Sequence, residues 1–229
     1  MKRKIIAISN QKGGVGKTTT AINLSTALAA TGQKVLIIDL DPQGNASTGL
    51  GVDYGQRENS IYEVLAGQVN ISDSIRKTEI DNLFLIPSTV DLSGIEPELA
   101  DVNDRAFTLK NIFNANEKLN EFNFIFIDCP PALSLLTVMA MTTANAIIVP
   151  LQCEFFALEG LSQLIKTIER VRQNLNPGLS IDGIVLTMYD SRNKLSSQVA
   201  TDVRNHLREQ VYETIIPRNV RVSEAPSFG

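Results

Sequence analysis

The chain is poor in the residues that build metal clusters and disulfide frameworks. Two cysteines, Cys129 and Cys153, stand in no paired spacing, and with a single histidine, His206, they offer too few ligands for a protein-bound zinc site. Long hydrophobic runs are missing as well. Ile5 to Ile8, Val35 to Ile38 and Ala146 to Val149 fall far short of the roughly 20 residues that a bilayer span requires, so no membrane partner is expected. Met1-Lys2-Arg3-Lys4 is basic, yet only Ile5 to Ile8 separate it from polar Ser9 and Asn10, whereas a secretory leader needs about 7 to 15 apolar residues. A cytoplasmic location is the expectation. An excess of basic charge is also absent, since 21 Lys and Arg against 25 Asp and Glu leave a net charge of -4. That balance argues against a surface coated in positive charge for nucleic acid, so any such contact must come from a local patch. No internal repeat, low-complexity tract or linker divides the chain.

What the chain does hold is apolar sequence in short packets, 43% hydrophobic over 229 residues, enough for a substantial core. Ile5 to Ser9, Val35 to Leu40, Leu83 to Pro87, Phe124 to Asp128, Ala146 to Leu151, Ile184 to Thr187 and Val211 to Ile216 are rich in Ile and Val and read as buried strands. Helical patterns lie between them, over Lys17 to Ala30, Leu92 to Ala100, Phe107 to Asn120, Leu135 to Thr143, Leu158 to Leu175 and Ser196 to Gln210. Alternation of this kind predicts an α/β fold, doubly wound, with a mostly parallel sheet and helices on both faces. Gly49 to Lys77 is the least regular section, a loop with one short helix over Ser60 to Leu65. Residues 1 to 229 are expected to form one domain, and one lacking its C-terminal closing helix, because Ala225-Pro226-Ser227 and Phe228-Gly229 follow the last strand directly.

Lys12-Gly13-Gly14-Val15-Gly16-Lys17-Thr18-Thr19 sits between the first strand and the first helix. A loop that holds phosphate must bring several backbone N–H groups to its oxygens, and glycines at 13, 14 and 16 remove the side chains that would block the approach. The helix opening at Lys17 directs the positive end of its dipole at the anion. Lys17 then reaches the β and γ phosphates, and the Thr18 hydroxyl can ligand Mg²⁺. This is an ATP site of the P-loop NTPase kind, with one departure. The usual G-x-x-x-x-G-K-[ST] pattern begins with glycine, and here that place is taken by Gln11, with Lys12 beside it.

Carboxylates follow two of the strands. Asp39-Leu40-Asp41 ends the second, with both acids on one side of an extended chain, so that one can hold Mg²⁺ through water while the other orients the attacking water. Phe122 to Asp128 is an apolar strand ending on one carboxylate, which makes Asp128 a Mg²⁺ partner through Thr18 or a water. Cys129, just before Pro130-Pro131, reads as a buried structural thiol. Met188-Tyr189-Asp190 and Pro217-Arg218-Asn219-Val220 follow late strands, at the sheet end where a base would extend from the phosphate loop. From Asp190 to Arg221 six basic residues (Arg192, Lys194, Arg204, Arg208, Arg218, Arg221) stand against four acidic ones, so positive charge is concentrated there.

The Lys12 to Thr19 stretch resembles the deviant Walker A motif of the ParA/MinD family of ATPases, and the resemblance runs from Lys4 to Gly229. It implies that Lys12 acts in trans, reaching a second copy's phosphates in an ATP-bound homodimer, while Lys17 acts in cis. It implies that Asp41 is the catalytic acid and Asp39 a metal-side acid, that the loop after the last strand meets adenine through Pro217 and Asn219, and that Arg192 and Arg221 bind DNA without sequence preference. Gln43-Gly44-Asn45 and Val220 to Ser227 are closer to the chromosomal ParA/Soj branch than to MinD. The expected function is ATP-driven partitioning of a chromosome or plasmid, nucleoid-associated and reset when a ParB-like partner stimulates hydrolysis. The alternatives are a MinD-like regulator on a membrane surface and a small-molecule kinase-like enzyme such as a dethiobiotin synthetase. Residues 1 to 229 show no stretch like the N-terminal helix-turn-helix of large plasmid ParA proteins or the C-terminal amphipathic helix of MinD, so operator-specific repression and MinD-like membrane attachment are not expected, unless truncation has removed such a helix from the C-terminus.

Overall fold

The computed structural model describes residues 3–224. Eight strands form one sheet: β1 (Lys4–Ile8), β2 (Val35–Asp39), β3 (Arg76–Lys77), β4 (Leu83–Ile86), β5 (Phe124–Asp128), β6 (Ala146–Gln152), β7 (Ser180–Tyr189) and β8 (Val211–Pro217). Their order is β3-β4-β2-β5-β1-β6-β7-β8, parallel except for the antiparallel β3–β4 pair at one edge. The helices are α1 (Lys17–Ala30), α2 (Asn45–Gly49), α3 (Ile61–Leu65), α4 (Ile95–Glu98), α5 (Thr108–Ala115), α6 (Leu135–Thr143), α7 (Ala157–Asn174), α8 (Lys194–Leu207) and α9 (Val220–Glu224).

Alternation along the central strands explains why they read as unbroken apolar runs. Ile5 and Ala7 enter one core with Leu36 and Ile38, against Leu136 of α6 and Leu161 of α7. Ile6 and Ile8 enter the other with Val35 and Ile37, against Ala21 and Ala29 of α1. Residues of both faces of β1 and β2 are buried, which suits central strands of a parallel sheet. In register, Asp128 of β5 pairs with Ile8 on one side and Asp39 on the other, so three carboxyl ends finish level. Ligands of open α/β sheets bind at that end.

Several element bounds depart from the sequence pattern. The helix expected over 92–100 is a tight turn, Val90–Gly94, followed by the single turn of α4. Gly94 weakens it and Pro97 removes a donor, so a longer helix does not form. The helix expected over 107–120 stops at Ala115, because Asn116 turns extended and its side chain accepts from Lys118 N at 3.1 Å to start a separate turn. β7 begins at Ser180, earlier than its apolar run, because pairing with β6 starts there. α2 and β3 carry no periodic signal and are visible only in the fold. α9 forms where the pattern suggested no element. Ala225 to Ser227 and the question of a closing helix lie outside the described residues. No helix among those described is long and apolar enough to cross a membrane.

Candidate functional site

The loop between β1 and α1 is held from beneath by two neighbouring strands. Buried Asn10 donates through Nδ2 to Pro150 O on β6 at 2.7 Å, and its Oδ1 accepts from Lys12 N at 3.0 Å. Thr187 on β7 donates through Oγ1 to Val15 O at 2.8 Å. Gly14 and Gly16 hold φ of 71° and 86°, where a side chain would be strained. No side chain caps α1 at Gly16, and its first turn carries no acid. The N–H groups at this helix start, together with its dipole, are open to an anion.

Lys17, the first residue of α1, is buried and donates through Nζ to Lys12 O at 2.9 Å. Burial pushes its ammonium below the usual lysine range, opposed by nearby Asp128, Cys129 and Asp41. It lines a cavity of about 600 Å³ with Gly13, Gly14, Gly16, Thr18, Thr19 and Asp41. Val15 turns inward and is buried. Lys12 is different, since its ammonium pairs with Glu154, just beyond the end of β6.

The three aspartates divide by how their oxygens are satisfied. Asp39 is fully buried, and its Oδ2 accepts from Ser47 N at 2.8 Å and Ser47 Oγ at 2.7 Å. Burial raises its pKa to about 6, against the pull of those bonds. Asp41 sits at the cavity wall and accepts from Gln43 N at 3.0 Å, which shapes the turn into α2. Gly44 follows with φ of 62°, and a Cβ there would collide with the Arg57 guanidinium. Asp128 is fully buried, yet neither of its oxygens has a hydrogen-bond partner. Burial and then Asp39 drive its carboxyl well above the usual range, while Thr18 beside it opposes the shift without completing a bond of good geometry.

An orphaned buried carboxylate next to a hydroxyl on a phosphate loop fits a hard cation. Among the described residues no three His, Cys, Asp or Glu side chains converge as a ligand set. That suits Mg²⁺, which keeps several waters and takes one or two protein oxygens along with phosphates. Cys129 is buried with its thiol pushed far up by desolvation, as a structural cysteine should be.

Met188, at a positive φ of 50°, and Val222 of α9 also line the cavity. Pro217 ends β8 opposite Tyr189, and Asn219 accepts from Arg221 N at 2.9 Å; both lead into α9. Arg192 is exposed and clasped by Asp190, at 3.0 Å from Nε and 2.9 Å from an Nη. That guanidinium holds the Asp190 carboxyl at a pKa of about 2. Arg221 is exposed, and His206 lies on the surface of α8. Sequence reasoning missed Asn10, Ser47, Glu154, Thr187 and Val222. Only Asn10 leaves a local trace, a polar residue closing an apolar strand.

A family model described as an AAA domain matches residues 3–181. The chain is 59% identical over 226 residues to the chromosome partitioning protein ParA of Caulobacter vibrioides, covering 99% of this chain and 85% of that protein. It is 48% identical over 226 residues to the sporulation initiation inhibitor protein Soj of Bacillus subtilis, covering 99% and 88%. Among solved structures, a cobyrinic acid a,c-diamide synthase from Mycobacterium smegmatis with bound ATP analog and magnesium matches with a TM-score of 0.87. The two are 37% identical, over 99% of this chain and 92% of that one.

Proposed function

Since the chain belongs to the ParA/Soj family of P-loop partitioning ATPases, we propose that it works as a nucleotide-driven switch. ATP pairs two copies, the pair binds DNA without sequence preference, and hydrolysis stimulated by a ParB-like partner resets it. The coarse activity is that of its relatives, an ATPase using ATP and Mg²⁺ in chromosome or plasmid partitioning. Greater identity to the partitioning relatives than to the synthase favours this over small-molecule chemistry.

The observation that carries the reading is the contrast between the two loop lysines. Lys17 lines the cavity, while Lys12 points its ammonium out of it. A cation so placed suits the phosphates of a second copy, in the way an arginine finger serves a neighbour. Phe155 and Phe156, 72% and 65% exposed and directly after Glu154, are apolar surface that a second copy would cover.

Within one copy the roles follow from position. Backbone N–H groups from Gly13 to Thr19 receive the phosphates, and Lys17 releases Lys12 O to neutralise the β and γ oxygens. The Thr18 hydroxyl and Asp128 are the residues that would hold Mg²⁺, which would supply charge neutralisation at the phosphates. Asp41, at the wall, orients the attacking water; Asp39 holds the turn that carries it and reaches the metal side only through water. Met188, with Pro217 and Asn219 of the loop after β8, borders the adenine. Arg192 and Arg221 bind DNA phosphates, and pairing doubles those contacts, which steepens the dependence on salt. The protein would act in the cytoplasm at the nucleoid, with no membrane partner.

Co-sedimentation with DNA and with anionic liposomes, each with ATP or ADP, tests the reading. The expected result is pelleting with DNA in ATP alone, weakened about 10-fold or more by Arg192→Ala with Arg221→Ala. Pelleting with liposomes and not with DNA would replace it with the MinD-like alternative.

A further inference from the structure

The Lys12–Glu154 pair joins residues 142 apart in sequence and links the phosphate loop to the turn that carries the exposed aromatic rings. Glu154 lies two residues after Gln152, the last residue of β6, and its backbone N donates back to Gln152 O at 2.9 Å. Ala157 N donates to Glu154 O at 2.9 Å, so the residue is fixed at both ends of a tight turn. Phe155 and Phe156 continue that turn with their rings edge to face, 5.1 Å apart. On the loop side, Lys12 is tied to Asn10 through its N and to Lys17 through its O.

These contacts form a chain. Phosphates entering the cavity would compete with Lys12 O for the Lys17 ammonium, and loss of that bond would leave the Lys12 backbone held by Asn10. The pair with Glu154 is then the remaining hold on the Lys12 side chain. Both partners are partly exposed, 43% and 37% by side chain, so the pair is weak enough to yield to a phosphate.

We propose that Glu154 is a positioning residue for Lys12, holding its ammonium in cis against the 152–156 turn until a triphosphate is bound and a second copy arrives. The restraint sets the ATP concentration at which two copies pair. Its consequence for pairing rests on the nucleotide-dependent homodimer proposed above; the restraint itself does not.

Glu154→Gln, which keeps the shape and removes the charge, separates the two. Acylation of Lys12 by an amine-reactive reagent, followed by peptide mass spectrometry on nucleotide-free protein, reads the restraint directly. The expected result is faster labelling of Lys12 in Glu154→Gln by about two- to fivefold, the range an exposed pair supports, with other lysines unchanged. The ATP concentration at half-dimerisation should fall by a similar factor, and the difference from wild type should close at high salt. Unchanged Lys12 labelling in a folded variant overturns the proposal, and so does a higher ATP requirement, which would make Glu154 part of the paired surface. A wild type that stays monomeric in every nucleotide removes the dimer reading alone, and Lys12 labelling still decides the restraint. Thermal melting and ATP affinity equal to wild type exclude a misfolded variant, and Glu154→Asp, which retains the charge, should restore slow labelling.

Discussion

The helices that open at Lys17 and at Ile61 begin in opposite ways. At α3, Ser60 and Glu63 form a reciprocal capping box: Ser60 Oγ accepts from Tyr62 N at 3.2 Å, and Glu63 accepts from Ser60 N at 2.8 Å. At α1 the corresponding place is Gly16, with no capping side chain and no acid in the first turn. One helix start is satisfied by its own sequence, and the other is left open to a ligand. The same division runs through the acids. Asp39 is bonded twice by Ser47, whereas Asp128, level with it on the next strand, has no partner. The start of α3 and Asp39 are satisfied within the chain, whereas the start of α1 and Asp128, the groups proposed above to meet phosphate and Mg²⁺, are not.

The largest effect expected from breaking this division is at Asp41. Asp41→Ala should slow steady-state ATP hydrolysis by about 100-fold or more, as loss of a group that orients the reacting water does, while fluorescent-nucleotide titration finds ATP affinity within a few-fold of wild type. Lys17→Ala comes next. It should weaken ATP binding by about 100-fold, the scale of lost charge-assisted bonds, without lowering the melting temperature of nucleotide-free protein, because a buried ammonium bonded to one carbonyl is costly to keep. A clear loss of thermal stability would place Lys17 among the groups that hold the fold. The smallest effect is at the satisfied end. Ser60→Ala should cost about 1 kcal/mol in denaturant unfolding and leave ATP binding unchanged.

Much of this arrangement was legible from local sequence. α1, α6 and β5 have the bounds their patterns predict, because glycine, proline or a lone polar residue marks each end. The phosphate loop and Asp128 were legible for the same reason, since each follows an apolar strand and requires no distant partner to be recognised. What could not be read depends on contacts across the chain. Thr187 supports Val15 from 172 residues away, and Glu154 holds Lys12 from 142. Val222 lines the cavity with Met188, from a helix too short to leave a periodic signal. The unequal satisfaction of Asp39 and Asp128 is likewise invisible in sequence, because it arises from Ser47 folding back under β2.

The central claim is that ATP bound at the open end of α1 changes how many copies stand together. Size-exclusion chromatography of Asp41→Ala with ATP and with ADP, followed by a DNA mobility shift over a salt series, tests it most directly. The account predicts a dimer with ATP and a monomer with ADP, DNA bound by the dimer alone, and affinity that falls steeply as salt rises. A monomer with every nucleotide, or equal DNA binding in ATP and ADP, would contradict it.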